Sequence, residues 1–388
     1  MSYLFQFTCP ECGYEADIDD HIYVCPDCQN PLLATYDLYR ARKEDYLNHL
    51  ENLPGMWRFM GLLPIQSKPV ATFNFREGDT PIYNLSNVAA AFGLNKIYIK
   101  HEGVNPTGNM ADRGISVTYS TLEHPTAFYI ADNGTRVISA SAYAAFVQKK
   151  LYATIPRFFP RTFMGECENY GAMLQAVKWN HQEIETVKEN SYQDIELFNL
   201  DSDGISFFIE GVKTVFLELL WQFKYFLPEI IAIPTGDGLT AIAFWKALDE
   251  FQKLGGIIKS QETQIYFVQH ENTAPLFSLV HEESWTPPED FDSIAPDLFT
   301  HRVFFPELFK EVVRKHNWHV VKVTTEAIID TWKKFARISG YLLSAEGSAA
   351  LAGILPFIKS TKIRNRNVLI LNPSLGTRFI DTMGFIRD

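Results

Sequence analysis

Four cysteines near the start of the chain, Cys9, Cys12, Cys25 and Cys28, form the pattern C-x2-C-x12-C-x2-C. A C-x-x-C turn presents two thiolates on one side, and two such turns can close a tetrahedron around zinc. Four thiolates leave no open position for water, so the metal expected here is structural. The segment is too short to bury a core of its own, and a metal staple supplies what the core cannot. A second stretch with chemical potential runs His101-Glu102-Gly103-Val104-Asn105-Pro106-Thr107-Gly108-Asn109-Met110-Ala111-Asp112-Arg113-Gly114. It joins a predicted strand to a predicted helix. A turn feeding a helix N-terminus points free backbone N–H groups outward and can hold an anion. Asn105, Thr107, Gly108, Asn109 and Arg113 are the candidate ligand-binding residues of that turn. The alternative is a turn that only connects its two elements.

The elements that must position these residues follow from the apolar pattern. Short runs at Lys96–Lys100, Ala127–Ala131, Glu229–Ile233, Gln264–Val268 and Val368–Leu371 read as strands. Between them, Gly211–Phe223, Leu239–Leu254, Glu326–Ile338 and Glu346–Ile358 read as helices. This alternation predicts an α/β protein with mostly parallel sheets. Trp285–Asp290, rich in proline and acid, reads as a surface loop. The chain has 388 residues, 46% of them hydrophobic, enough for two domains with a substantial core. Its formal net charge of −11 argues against a nucleic-acid partner. No apolar run reaches the roughly 18 residues of a membrane helix, so no membrane partner is expected. The first residues lack the basic-then-apolar order of a secretory signal. Four of the five cysteines sit in the first 28 residues rather than in spread pairs, which predicts a reducing, cytoplasmic setting. Cys167 stands alone and reads as a packing residue.

The segment from Glu102 to Gly114 resembles the E-G-x-N-P-T-G-S-F-K-D-R-G motif of threonine synthases, which belong to the tryptophan-synthase-β group, or fold type II, of pyridoxal-phosphate enzymes. Other segments resemble the same family in the same order. Glu77-Gly78-Asp79-Thr80-Pro81-Ile82 is similar to its G-E-G-x-T-P-L stretch. Ile233-Pro234-Thr235-Gly236-Asp237-Gly238-Leu239-Thr240 is similar to its P-T-G-G-G-T-G phosphate loop. Val268-Gln269 with Ala274-Pro275-Leu276, and Ser344-Ala345-Glu346-Gly347-Ser348-Ala349-Ala350, match two later motifs. The resemblance implies two doubly wound α/β domains behind an N-terminal zinc ribbon. The boundaries expected are 1–35 for the ribbon, 36–110 with 195–388 for the large domain, and 111–194 for the small one.

The same resemblance implies losses. The family lysine that forms the Schiff base falls at Ala111, which has no side-chain nitrogen. Lys100 and Lys213 are the nearest other amines, and both match family lysines outside that role. The family S-T-G-N turn around the cofactor ring falls at Asp132-Asn133-Gly134-Thr135, with Arg136 next to it. Asp237 brings a carboxylate into the phosphate loop. Pro373, in Asn372-Pro373-Ser374-Leu375-Gly376, stands where a hydroxyl meets the pyridine nitrogen. Phe208 replaces the arginine expected two residues before Glu210-Gly211-Val212-Lys213-Thr214. Pyridoxal phosphate is therefore expected to be absent, and zinc present. The expected function is a pseudoenzyme that binds a small anionic ligand, a protein partner or a second copy of itself. Thr135, Gly236, Gly238 and Thr240 join the candidate ligand-binding residues. Two other readings remain open: an enzyme whose cleft is rebuilt around Asp132, Arg136 and Asp237 for chemistry without the cofactor, and a threonine synthase-like lyase with a displaced or mutated lysine.

Overall fold

The structure is a computed structural model that describes residues 2–50, 52–65, 75–121, 126–191, 195–258, 263–287, 293–300, 302–359 and 365–379. Three sheets organise it. β1 (Leu4–Thr8), β2 (Glu15–Ala16) and β3 (Leu33–Tyr36) form an antiparallel sheet in the order β2-β1-β3. Two tight turns carry the cysteines: Gly13 N–H donates to the Cys9 carbonyl at 3.0 Å, and Gln29 N–H to the Cys25 carbonyl at 2.9 Å. Gly13 and Gln29 both have positive φ, which lets each knuckle close on its pair of thiols.

The second sheet uses β4 (Ile82–Asn84), β5 (Lys96–His101), β10 (Ile230–Pro234), β11 (Gln264–His270), β12 (His319–Val323) and β13 (Asn367–Asn372), in the order β12-β11-β10-β13-β5-β4. All its pairs are parallel except the edge pair β4–β5. Its central strand β10 reads Ile-Ile-Ala-Ile-Pro and is buried throughout, the composition of a strand covered on both faces. The third sheet contains β6 (Ala127–Ala131), β7 (Lys150–Pro156), β8 (Met173–Val177) and β9 (Leu197–Asn199), parallel throughout and ordered β8-β7-β6-β9. β9 lies beyond residue 194, so this sheet draws its edge strand from residues the sequence reading placed in the large domain. The ribbon sheet likewise runs to Tyr36, one residue past its expected end. Of the expected loop at 285–290, residues 285–287 carry no regular element and the remainder lies outside the described residues.

One helix ties the parts together. Ile205–Gln222 is buried at every position from Ile205 to Leu220, and it packs against the helices Ala111–Thr121 and Leu239–Lys253. The first of these contacts is a backbone crossing. A Cβ on Gly211 would stand 2.1 Å from the Arg113 carbonyl oxygen and 2.6 Å from the Gly114 Cα, so only glycine permits the approach. The ribbon docks on the start of the same helix. Ser206 donates to the Leu32 carbonyl, the Phe207 ring packs on Tyr23 at 4.7 Å, and Tyr36 donates to Glu210 at 2.7 Å.

Two buried charge networks hang on this helix. In one, Lys213 and Lys246 meet Glu210 and Glu250. In the other, Lys100 pairs with Glu218 at 2.5 Å, and Arg113 pairs with Glu102 at 2.7 Å and with Glu218 at 3.1 Å. Both networks balance cation against anion, which is the condition for burying charge at all. Among the described residues no helix is long and apolar enough to cross a membrane.

Glu218 gives a direct test of this arrangement. Burial works to raise its carboxyl, but Arg113 and Lys100 outweigh burial and hold it at about 2. Its folded value lies below the unfolded one, so its contribution is present above the ordinary glutamate range and is lost as pH falls toward about 2. Glu218→Ala should cost about 3–5 kcal/mol, the usual result of leaving a buried cation unpaired. Urea denaturation at neutral pH measures this, and the variant should also lose less stability than wild type on acidification.

Candidate functional site

The cleft opens where the C-terminal ends of β6 and β10 meet the N-termini of the helices that follow them, the usual ligand position in open parallel sheets. It has a volume of ≈120 Å³. Ala111 forms part of its wall at the start of its helix, beside Met110, Phe208 and Pro373. The charged lining is four carboxylates, Asp132, Asp237, Asp297 and Glu346, and two guanidiniums, Arg136 and Arg302.

Two of the helix N-termini at the cleft are occupied by carboxylates of the chain. Helix Thr135–Phe146 begins beside Asp297, whose carboxylate accepts from the Thr135 N–H at 2.7 Å and from the Thr135 hydroxyl at 2.8 Å. Asp297 takes the space that Gly134 leaves: a Cβ there would lie 1.8 Å from its Oδ1. A Cβ on Gly236 would lie 2.8 Å from the Asp297 carbonyl oxygen. The segment that carries Asp297 is pinned by Asn133, which donates to the Pro296 carbonyl at 2.6 Å and the Phe299 carbonyl at 3.1 Å. The second helix, Leu239–Lys253, is capped by Asp237, which accepts from the Leu239 N–H at 3.0 Å. Burial pushes the Asp237 carboxyl up, with Arg136 opposing. Burial also pushes Asp297 up to about 6, against the pull of its two bonds from Thr135.

Arg136 is held by its neighbours. Its Nε donates to Asp132 at 3.0 Å, and its Nη2 pairs with Asp132 at 2.7 Å and Asp201 at 2.5 Å. Its guanidinium lies 5.4 Å from the centre of the Phe208 ring. Arg302 Nη2 reaches the same Asp201 oxygen at 3.4 Å and keeps 35% of its side chain exposed. Three side chains of the lining have buried polar atoms without a hydrogen-bond partner among the described residues: Nη1 of Arg136, Oγ1 of Thr235 and both carboxylate oxygens of Glu346. Burial, and then the charge of Asp297, push the Glu346 carboxyl well above the carboxylate range.

The structure thus gathers Ala111, Asp132, Thr135, Arg136, Gly236, Asp237 and Thr240 around one cleft. Gly238, at φ 98°, shapes the turn into its helix and touches Leu276 and Phe304 instead. The turn from Asn105 to Asn109 does not contribute. The Asn105 side chain bonds the Glu102 carbonyl and carboxylate and the Gly78 N–H. Asp112 accepts from the Thr107 N–H at 2.7 Å and from its hydroxyl at 2.6 Å. Gly108 N–H donates to the Asn105 carbonyl, Met110 N–H to the Pro373 carbonyl and Ala111 N–H to Asn109. Arg113 is spent on Glu102, Glu218, Thr80 and Thr214. These donors are thus taken within the chain, by Asp112, the Asn105 and Pro373 carbonyls and the Asn109 side chain. Lys100 and Lys213 sit in the buried charge networks and reach no part of the cleft. Cys167 is buried.

Four functional groups were not singled out from the sequence. Asp201, Asp297 and Arg302 occur in stretches without a motif, and only the fold brings them to Arg136 and Thr135. Glu346 stood in a quoted motif, but its place at an otherwise apolar helix start concealed that its carboxylate faces no partner. At the N-terminus, the sulfurs of Cys9, Cys12, Cys25 and Cys28 all lie within 4.8 Å of one another. Tetrahedral zinc with bonds of about 2.3 Å places sulfurs about 3.8 Å apart, so this cluster can hold such an ion.

Residues 74–374 match the family model described as pyridoxal-phosphate dependent enzyme, and the chain belongs to that family. The threonine synthase of Methanosarcina acetivorans is 26% identical over 358 residues, covering 90% of this chain and 86% of the relative. That of Methanocaldococcus jannaschii is 25% identical, covering 95% and 92%. Maize serine racemase superposes with a TM-score of 0.64 at 20% identity, covering 76% of this chain and 88% of that one. The α/β architecture is that of fold type II.

Asp112 supplies a measurable consequence of these buried acids. Burial pushes its carboxyl up to about 7, with the bonds from Thr107 pulling the other way. The folded state therefore prefers the proton. The associated stability is complete below the ordinary aspartate value and is lost as pH rises toward about 7. Asp297 and Glu346 act in the same direction. Asp112→Asn, which keeps an acceptor for Thr107, should flatten the decline between pH 4 and 7 by on the order of a few kcal/mol. Denaturant midpoints across that range are the measurement.

Proposed function

We propose that this chain is a threonine synthase relative that has given up Schiff-base chemistry and uses the cleft to hold a small ligand in the cofactor's place. The observation that carries this reading is Asp297. Its carboxylate occupies the N-terminus of the helix that follows the ring-binding turn, and Asp237 does the same at the phosphate loop. A helix N-terminus holds a phosphate by offering free N–H groups and a favourable dipole. With a carboxylate of the chain at each of these two, a phosphate dianion meets repulsion in place of donors. Ala111 provides no amine. The residues present do not fit the cofactor. A cleft rebuilt for new chemistry receives less support, since Asp132 and Arg136 neutralise each other and Asp237 serves as a helix cap.

The test is an absorbance titration with pyridoxal phosphate. Neither wild type nor Ala111→Lys should develop a lysine-linked visible chromophore at micromolar cofactor, because restoring the amine restores none of the lost contacts. Each missing bond to a charged group is worth about 1.5–3 kcal/mol. A stable chromophore in wild type, or a chromophore with threonine formation in the variant, overturns the reading.

We infer that the four N-terminal thiolates hold one structural zinc, in support of which stand their spacing and the two matching knuckles. Metal analysis should give one equivalent in wild type and none in Cys25→Ser, and the variant should melt at lower temperature. Equal zinc content in the two proteins would contradict the assignment.

A further inference from the structure

The two knuckles of the ribbon each hold a different segment of the cleft wall. The first knuckle reaches helix Pro306–His316. That helix starts without a cap of its own, since Phe305 at its N-cap offers no side-chain oxygen. The Leu308 N–H in its first turn donates instead to Glu11 at 3.4 Å, and Glu11 stands between Cys9 and Cys12. A carboxylate there also complements the positive end of the helix. The residues just ahead of this helix line the cleft. Arg302 belongs to its wall, its guanidinium lies over the Phe304 ring at 4.4 Å, and the Phe304 N–H donates to the Asp237 carbonyl at 2.9 Å. The second knuckle sits on the start of helix Ile205–Gln222. The Ser206 hydroxyl donates to the Leu32 carbonyl, with the Tyr23 carbonyl at 3.2 Å, and the Phe207 ring packs on Tyr23 at 4.7 Å and Phe7 at 5.9 Å. Phe208, next in the chain, lines the cleft. Asp201, just ahead of the same helix, pairs with Arg136 and with Arg302.

Resting on the zinc assignment above, we propose that the metal is a tie between these two segments of the cleft wall, and that Glu11 is the positioning residue that carries its effect to Arg302. Each knuckle closes on its own backbone bonds: Gly13 to Cys9 and Cys9 to Tyr14 in the first, Gln29 to Cys25 and Cys25 to Asn30 in the second. The sulfurs are where one knuckle meets the other, Cys9 to Cys28 and Cys12 to Cys25, each at 3.4 Å. A thiol is a weak donor and a weak acceptor, so such contacts alone hold the knuckles loosely. Four metal–sulfur bonds turn them into one rigid junction. The junction then fixes Glu11 relative to Tyr23 and Leu32. Through Leu308 on one side and Ser206 with Phe207 on the other, it fixes the Arg302 segment relative to Phe208 and Asp201. The Arg302–Asp201 pair, at 3.4 Å, is where the two segments meet at the cleft.

Hydrogen exchange read by mass spectrometry on the full-length protein tests the tie. Removing zinc with a chelator should speed exchange in residues 302–309 by about tenfold, the scale of losing a helix cap. Exchange at the start of helix Ile205–Gln222 should rise as well, β13 should stay unchanged, and added zinc should reverse both changes. Glu11→Ala with one equivalent of zinc bound should speed exchange in residues 302–309 by a similar factor, while the ribbon's own amides exchange as in wild type. Glu11→Gln, which keeps an oxygen acceptor for Leu308, should bring exchange back toward wild type. A zinc that stabilises the ribbon alone moves only residues 4–36 when it is removed. That result, or exchange in Glu11→Ala equal to wild type, overturns the proposal. Should zinc removal unfold the whole chain, the two zinc-loaded Glu11 variants decide the matter alone. A wild-type protein that carries no zinc removes the assignment beneath the proposal, whereas bound zinc with an unaltered cleft wall removes only the tie.

Discussion

The backbone crossing at Gly211 fixes the relative position of everything that matters in this protein. Helix Ile205–Gln222 approaches helix Ala111–Thr121 so closely that the Arg113 carbonyl occupies the space of a side chain. That contact sets where Ala111 opens its helix and where Phe208 meets the cleft. The crossing is held by charge. Arg113 reaches from one helix to Glu218 on the other, and Lys100 at the end of β5 closes the link to the large sheet. Buried pairs of this kind add little stability over well-packed apolar residues, but losing one member is costly. They act as a constraint on geometry rather than as a source of binding energy. The ribbon engages the same helix through Tyr36 and Glu210, so it braces the framework from the opposite side.

This framework is internally satisfied, and that explains why most of its motif residues need no ligand. Asn105, Thr107, Asn109 and Asp112 bond one another, the backbone or Ser139. Their arrangement positions the start of the Ala111 helix whether or not the cleft is filled. The cleft obeys a different logic. Asp297 accepts the Thr135 N–H and Asp237 the Leu239 N–H, and a capping carboxylate of this sort contributes about 0.5–2 kcal/mol.

The strands, the long helices and the cysteine cluster were legible in the sequence because each rests on local pattern. Apolar runs such as Ile230–Pro234 can only be buried strands or short core helices, and the flanking turns decide between them. Thiols separated by two residues, as in Cys9/Cys12 and Cys25/Cys28, declare a metal knuckle. The position of the carboxylates was not legible for an equally physical reason. Asp297 acts on Thr135 across 162 residues, and Asp201 acts on Arg136 across 65. No periodicity reports such contacts. The turn at Asn105–Asn109 shows the converse. Its backbone pattern is that of an anion site, but a side chain five residues away, Asp112, fills it.

Charge accounts for the difference between the two occupied helix N-termini and the groups that stay unbonded. Asp297 and Asp237 are half-buried, and each accepts one backbone N–H bond that works against its desolvation. Glu346 is more deeply buried, at 1% exposed, and neither of its oxygens has a hydrogen-bond partner among the described residues, so burial and the nearby Asp297 drive it toward its neutral form. Arg136 cannot respond in that way, because a guanidinium does not lose its proton in the accessible range. It satisfies two nitrogens with Asp132 and Asp201 and retains a positive edge.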